Sequence, residues 1–91
     1  MKIARKFLVS GAVQGVGFRF FTQRAAAKHQ VTGYVKNLKD GRVEALAEGS
    51  SASVENFRDE LVAGPAYSQV EKVEEIVLEP SGWYSSFRIE R

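Results

Sequence analysis

Gln14-Gly15-Val16-Gly17-Phe18-Arg19 brings backbone freedom and a guanidinium together in one short run. Glycines at 15 and 17 can take positive φ and bring their amides close to a bound group, with no Cβ in the way. Consecutive N–H groups turned inward make a nest for an anion, and a helix opening just beyond adds partial positive charge. Arg19 can then offer a planar fork of donors to two phosphate oxygens, which a lysine cannot imitate. The run is not a dinucleotide fingerprint, which needs a third glycine and a later acid, nor a P-loop, which needs Gly-Lys-Ser/Thr. A cradle for a small phosphate group is what fits. The other candidate is Asn37, which shares strand parity with Val35 and should face the interior at a strand end. A polar amide there needs partners. It either stabilises the turn before Asp40-Gly41 or, as both donor and acceptor, holds a water molecule.

The remaining composition removes other chemistries. With no cysteine, thiolate nucleophiles, disulfides and cysteine-ligated metals are excluded. The single histidine, His29, leaves histidine-rich metal sites short of ligands. His29 falls near the end of the first helical segment, where a cation suits the helix dipole. Charge is unevenly distributed. Met1 to Lys39 holds eight Lys or Arg and no acid, whereas Asp40 to Arg91 holds five basic and eleven acidic residues. Paired carboxylates for acid–base work or magnesium therefore cannot come from the first part, and its cationic character suits an anionic ligand.

These residues must be positioned by a small fold, since 91 residues suffice for one domain, spanning 1–91. Residues 3–11 read as a strand, with Ile3, Phe7 and Val9 on one parity and Lys6 and Ser10 on the other. Residues 11–18 form a glycine-punctuated loop, and Arg19 to Gln30 turns helical, without Gly or Pro. Residues 31–38 and 42–48 form a hairpin around Asp40-Gly41. Ser50-Ser51 offers N-caps for a second helix with a Val54, Phe57, Leu61 stripe, ended by Gly64-Pro65. Val70 to Glu79 reads as a strand with an irregularity, because its apolar parity shifts between Val73 and Ile76. Phe87-Arg88-Ile89 forms a short last strand. The order predicts an α+β, ferredoxin-like split βαβ: βαββαβ plus a short C-terminal strand, with two helices on one face of an antiparallel sheet. No segment approaches the about 20 apolar residues of a membrane span, and no signal peptide is evident, so a soluble cytoplasmic domain without membrane partners is expected.

Gly11-x-Val13-Gln14-Gly15-Val16-Gly17-Phe18-Arg19, followed by Gly33-Tyr34-Val35-Lys36-Asn37-x-x-Asp40-Gly41-x-Val43-Glu44, strongly resembles the acylphosphatase family. The resemblance runs over nearly the whole chain. It implies hydrolysis of the carboxyl–phosphate bond of small acyl phosphates, without metal or cofactor, and binding of inorganic phosphate. It further implies that Arg19 is the phosphate-binding catalytic arginine and Asn37 the residue that positions the nucleophilic water. The backbone amides of Gln14, Gly15, Val16, Gly17, Phe18 and Arg19 would form the cradle. Tyr34 stands where the family often has tryptophan, and its parity is opposite to that of Asn37.

Such a site has no evident general base, because neither Arg19 nor Asn37 accepts a proton near neutrality. An acyl phosphate tolerates that, since its leaving group is a weakly basic carboxylate and its loose transition state asks mainly for positioning and charge stabilisation. Two other classes compete. The same fold serves RNA-binding domains, but their stacking aromatics stand on central strands, whereas Phe18 and Phe20 fall in a loop and a helix start. Nucleic acid is therefore not an expected partner. A regulatory domain could sense a phosphorylated metabolite without turnover. Phe18, Phe20 and Phe21 read as core and loop anchors, Trp83-Tyr84 as packing on the sheet edge or its turn, and a monomer is expected.

Overall fold

Alternation decides which strand residues meet the helices, and hydrogen-bond register decides which of them stand side by side. The computed structural model describes every residue from Met1 to Arg91. Its elements are β1 (Lys2–Ala12), α1 (Phe18–Lys28), β2 (Thr32–Asn37), β3 (Val43–Ser50), α2 (Ser51–Ala63), β4 (Gln69–Leu78) and β5 (Phe87–Glu90). The strands form one sheet in the order β4-β1-β3-β2-β5. Phe7 and Val9 of β1, Val35 of β2 and Val43, Ala45 and Ala47 of β3 share the buried face. Ala25 and Ala26 of α1 and Val54, Phe57 and Leu61 of α2 close over it. Phe57 is central, with its ring 6.1 Å from Phe7 and 5.7 Å from Phe87. Ser50 caps α2 by accepting from the Ser53 N–H. The α+β split-βαβ architecture and both helices on one face are as the pattern predicts.

The sheet departs from expectation at its ends. β1, β2, β3 and β4 pair antiparallel, but β5 lies parallel to β2. The cause is topological. β4 occupies one edge, so the chain must cross the sheet to reach the free edge of β2, and it reverses direction as it does so. Residues 79–86 make that crossing over the face opposite the helices. There Glu48, only 2% exposed, accepts hydrogen bonds from the Ser81 N–H (3.0 Å), the Ser81 hydroxyl (2.7 Å) and the Gly82 N–H (3.1 Å). Tyr84 packs on Tyr34 with ring centroids 6.0 Å apart, while Trp83 is 86% exposed and packs on nothing extensive, against the sequence reading. The irregularity in β4 is also real but displaced. The register slips where Ser10 pairs with Lys72 and Gly11 with Val70, leaving Glu71 as the extra residue. That bulge turns both Val70 and Val73 toward the core, and Ile76 simply belongs to the other face.

Candidate active site

The loop leaving β1 is held at both ends and open in the middle. Val13 and Phe18 are buried anchors, Val16 packs against the core, and Phe18 lies 5.9 Å from the Phe21 ring. Between the anchors, Gly15 and Gly17 have φ of 76° and 78°, the left-handed region that side-chain-bearing residues resist. Gly17 is the N-cap of α1, so no side chain occupies the amides of the first turn, and that turn contains no acid. Among the turn and loop hydrogen bonds, none is donated by an N–H of residues 14–20. An anion-accepting surface of backbone N–H groups results.

Gln14 has a role that the sequence reading did not separate from the cradle. Its Nε2 donates to the carbonyls of Leu38 (2.8 Å) and Arg42 (2.9 Å). The loop is thereby tied to the turn between β2 and β3, immediately beyond Asn37. Neither Gln14 nor Val16 lines the cavity that the other loop residues enclose.

That cavity measures about 140 Å³ and is lined by Val13, Gly15, Gly17, Phe18, Arg19, Phe20 and Asn37. The two polar groups singled out from the sequence therefore share one space. Asn37 stands opposite Val43 on the helix-facing side of the sheet, as its parity requires. Its Oδ1 is buried and accepts no hydrogen bond, and it is the one side-chain atom in the molecule in that state. Such an atom costs free energy unless something in the cavity donates to it. Phe20, expected as an anchor, is 67% exposed at the cavity wall, since the first turn of α1 points it away from the core.

Arg19 is the one charged side chain that lines the cavity. Arg19 enters no ion pair, whereas Arg5 reaches Glu75 (3.3 Å), Lys28 reaches Glu60 (3.7 Å) and Lys36 reaches Glu44 (3.8 Å). Asp40, the nearest acid in sequence to Asn37, binds Arg42 instead: the Arg42 N–H foremost, then its guanidinium, hold the carboxyl below the ordinary carboxylate range. No carboxylate, imidazole or thiol lines the cavity, and no three His, Cys, Asp or Glu residues are grouped as metal ligands anywhere. His29 lies at the other end of α1 and meets Glu60 of α2. A hollow of about 150 Å³ between Trp83, Tyr84, Ser85, Ser86 and Arg88 has no unpartnered buried polar atom, which sets it apart from the Asn37 cavity.

In this split-βαβ domain the unpaired Arg19 and the strand-end Asn37 line one small cavity together with Gly15 and Gly17. The family model described as Acylphosphatase matches residues 5–89. The acylphosphatase of Actinobacillus succinogenes is 48% identical over 89 residues, covering 98% of this chain and 99% of its own. The crystal structure of acylphosphatase from Bacillus subtilis superposes with a TM-score of 0.94 at 36% identity, covering 98% of this chain and 99% of that one. The acylphosphatase structure from Coxiella burnetii gives 0.90, also at 36% identity, with 98% and 93% covered. The chain belongs to the acylphosphatase family and is an enzyme of that class.

Proposed function

We propose that this enzyme hydrolyses the carboxyl–phosphate bond of acyl phosphates in the cavity between the Gln14–Arg19 loop and Asn37. Arg19 and the loop amides hold the phosphoryl group, and Asn37 orients the attacking water. The observation that carries this reading is the unpartnered Asn37 Oδ1 in the same cavity as Arg19. Oδ1 is an acceptor, so it is unsuited to phosphate oxygens, which are acceptors too. It suits a water O–H. The phosphoryl oxygens would instead be met by the donors of Arg19 and the loop, which line the same cavity.

The chemistry follows from that division. Water oxygen forms a bond to phosphorus as the phosphorus–oxygen bond to the acyl group breaks, and the bonding electrons leave with the carboxylate. A phosphoryl oxygen of the substrate takes the proton that the water loses, giving inorganic phosphate. Arg19 and the amides stabilise charge on the equatorial oxygens, a contribution of about 3–4 kcal/mol per well-placed donor in a preorganised site. Asn37 fixes the water in line. Every role falls to the chain or the substrate, so the reaction needs no metal. A continuous assay of benzoyl phosphate hydrolysis in excess EDTA tests this directly. Turnover is expected, and an inert protein, or one revived only by added metal, overturns it.

A further inference from the structure

A cavity of about 140 Å³ has room for a phosphoryl group and a water, not for the acyl group as well. The acyl group must lie beside it. A second and larger hollow, about 630 Å³, does lie beside it, lined by Arg19, Phe20, Ile89 and Arg91. Arg19 and Phe20 belong to both spaces, so they form the wall across which an acyl phosphate would extend. Phe20 presents an exposed aromatic face there, and Ile89 continues the apolar surface from β5. The parallel register accounts for Arg91. Val35 pairs with Ile89 and Lys36 with Glu90 at the end of β5, and Arg91, the residue that follows, lines the hollow with Arg19. Alternation turns Ile89 to the helix-facing side, while Glu90 faces the other way, where it acts on Tyr34. Arg91 is in no ion pair, unlike Arg88, which reaches Glu90 at 3.8 Å.

We propose that this hollow is the acyl subsite, in which Phe20 packs on the acyl group and Arg91 pairs with a carboxylate carried by it. The preferred substrates are then monophosphates of dicarboxylic acids, with the second carboxylate a few bonds from the anhydride. The inference rests on the phosphate site proposed above. Phe20 and Arg91 act here on specificity, and the cleavage step stays with Arg19 and Asn37.

Benzoyl phosphate and 4-carboxybenzoyl phosphate make the comparison, because the rigid ring separates the two functions and prevents cyclisation. At low ionic strength kcat/KM should favour the carboxylated substrate by about fivefold, the reach of one exposed ion pair. Added salt should shrink that ratio. Arg91→Gln should bring it close to one, and Phe20→Ala should raise KM for both aromatic substrates relative to acetyl phosphate, also by about fivefold. Inhibition by inorganic phosphate should keep its constant in Arg91→Gln. Equal kcat/KM in the unaltered enzyme, or a preference that survives Arg91→Gln, overturns the subsite while leaving the phosphate site standing. A parallel loss of phosphate inhibition in Arg91→Gln also overturns it, by placing Arg91 in the phosphate cavity. Failure to hydrolyse either substrate overturns both readings.

Discussion

On the function proposed above, Arg19 and Asn37 would divide the work by polarity: one offers only hydrogen-bond donors, the other contributes the acceptor that lacks a partner. Their variants should therefore fail differently. Arg19→Ala removes both the grip on phosphate and the charge stabilisation, so turnover should fall by at least about a hundredfold and phosphate inhibition should weaken with it. Arg19→Lys should recover little, because an ammonium cannot span two oxygens. Substantial activity in either protein rules out the assigned role. Asn37→Ala should lower kcat by about a hundredfold and leave the phosphate inhibition constant within about twofold, since only the water loses its anchor. A collapse of phosphate binding there would make Asn37 a contact to phosphate. The places of both residues, at a helix start and on the helix-facing side of a strand end, were legible in the sequence because helix starts and strand parity are local properties. Phe20 was not, since its neighbour Phe18 is buried with Phe21 packed on it, and the direction of each ring depends on where α1 begins, at Phe18 rather than Arg19.

At the scale of elements, the site is a junction of the β1–α1 loop with the end of β2, and Gln14 is the side chain that joins them. Its two bonds go to the carbonyls of Leu38 and Arg42, so Gln14→Ala leaves the loop amides in place but frees the loop from the β2–β3 turn. We expect a stability loss of about 1–2 kcal/mol, read from the urea midpoint. We also expect kcat to fall more than phosphate affinity, because the water-bearing and phosphate-bearing parts lose their relative position. Equal losses in both would assign Gln14 to phosphate binding. A side-chain amide reaching backbone carbonyls far along the chain leaves no trace in periodicity, which is why the sequence placed Gln14 only in the cradle. The edge strands were unreadable for a related reason. Direction in β5 and the bulge at Glu71 follow from which edge is free and which partner stands opposite, and neither is a property of the strand's own residues.

Across the whole molecule, part of the uneven charge of the chain is spent on the fold itself. Three cations of the first part meet acids of the second at Arg5–Glu75, Lys28–Glu60 and Lys36–Glu44, and Arg19 is among those that enter no ion pair. Two groups on the face opposite the helices then set the pH range of stability. Burial pushes the Glu48 carboxyl up, but the Ser81 hydroxyl, the Ser81 and Gly82 N–H groups and the charge of Lys2 outweigh it, so its pKa lies below the ordinary 4.5. A carboxyl lowered on folding stabilises above its unfolded value, and that stabilisation is lost as pH falls through the folded value. Tyr34 is raised above 10.0, first by burial, then by its hydrogen bond to Glu44 and the charges of Glu44, Tyr84 and Glu90. Its contribution is complete below the unfolded value and is lost as pH climbs beyond it. The urea midpoint should thus form a plateau that drops on the acid side, where Asp40 adds to the slope, and again in alkali. Glu48→Gln should lower the plateau by about 1–3 kcal/mol, because an amide nitrogen now faces donors, and should flatten the acid limb. Tyr34→Phe should flatten the alkaline limb alone. An acid limb unchanged in Glu48→Gln would show that the carboxylate beneath residues 79–86 does not hold that crossing, and with it β5, against the sheet.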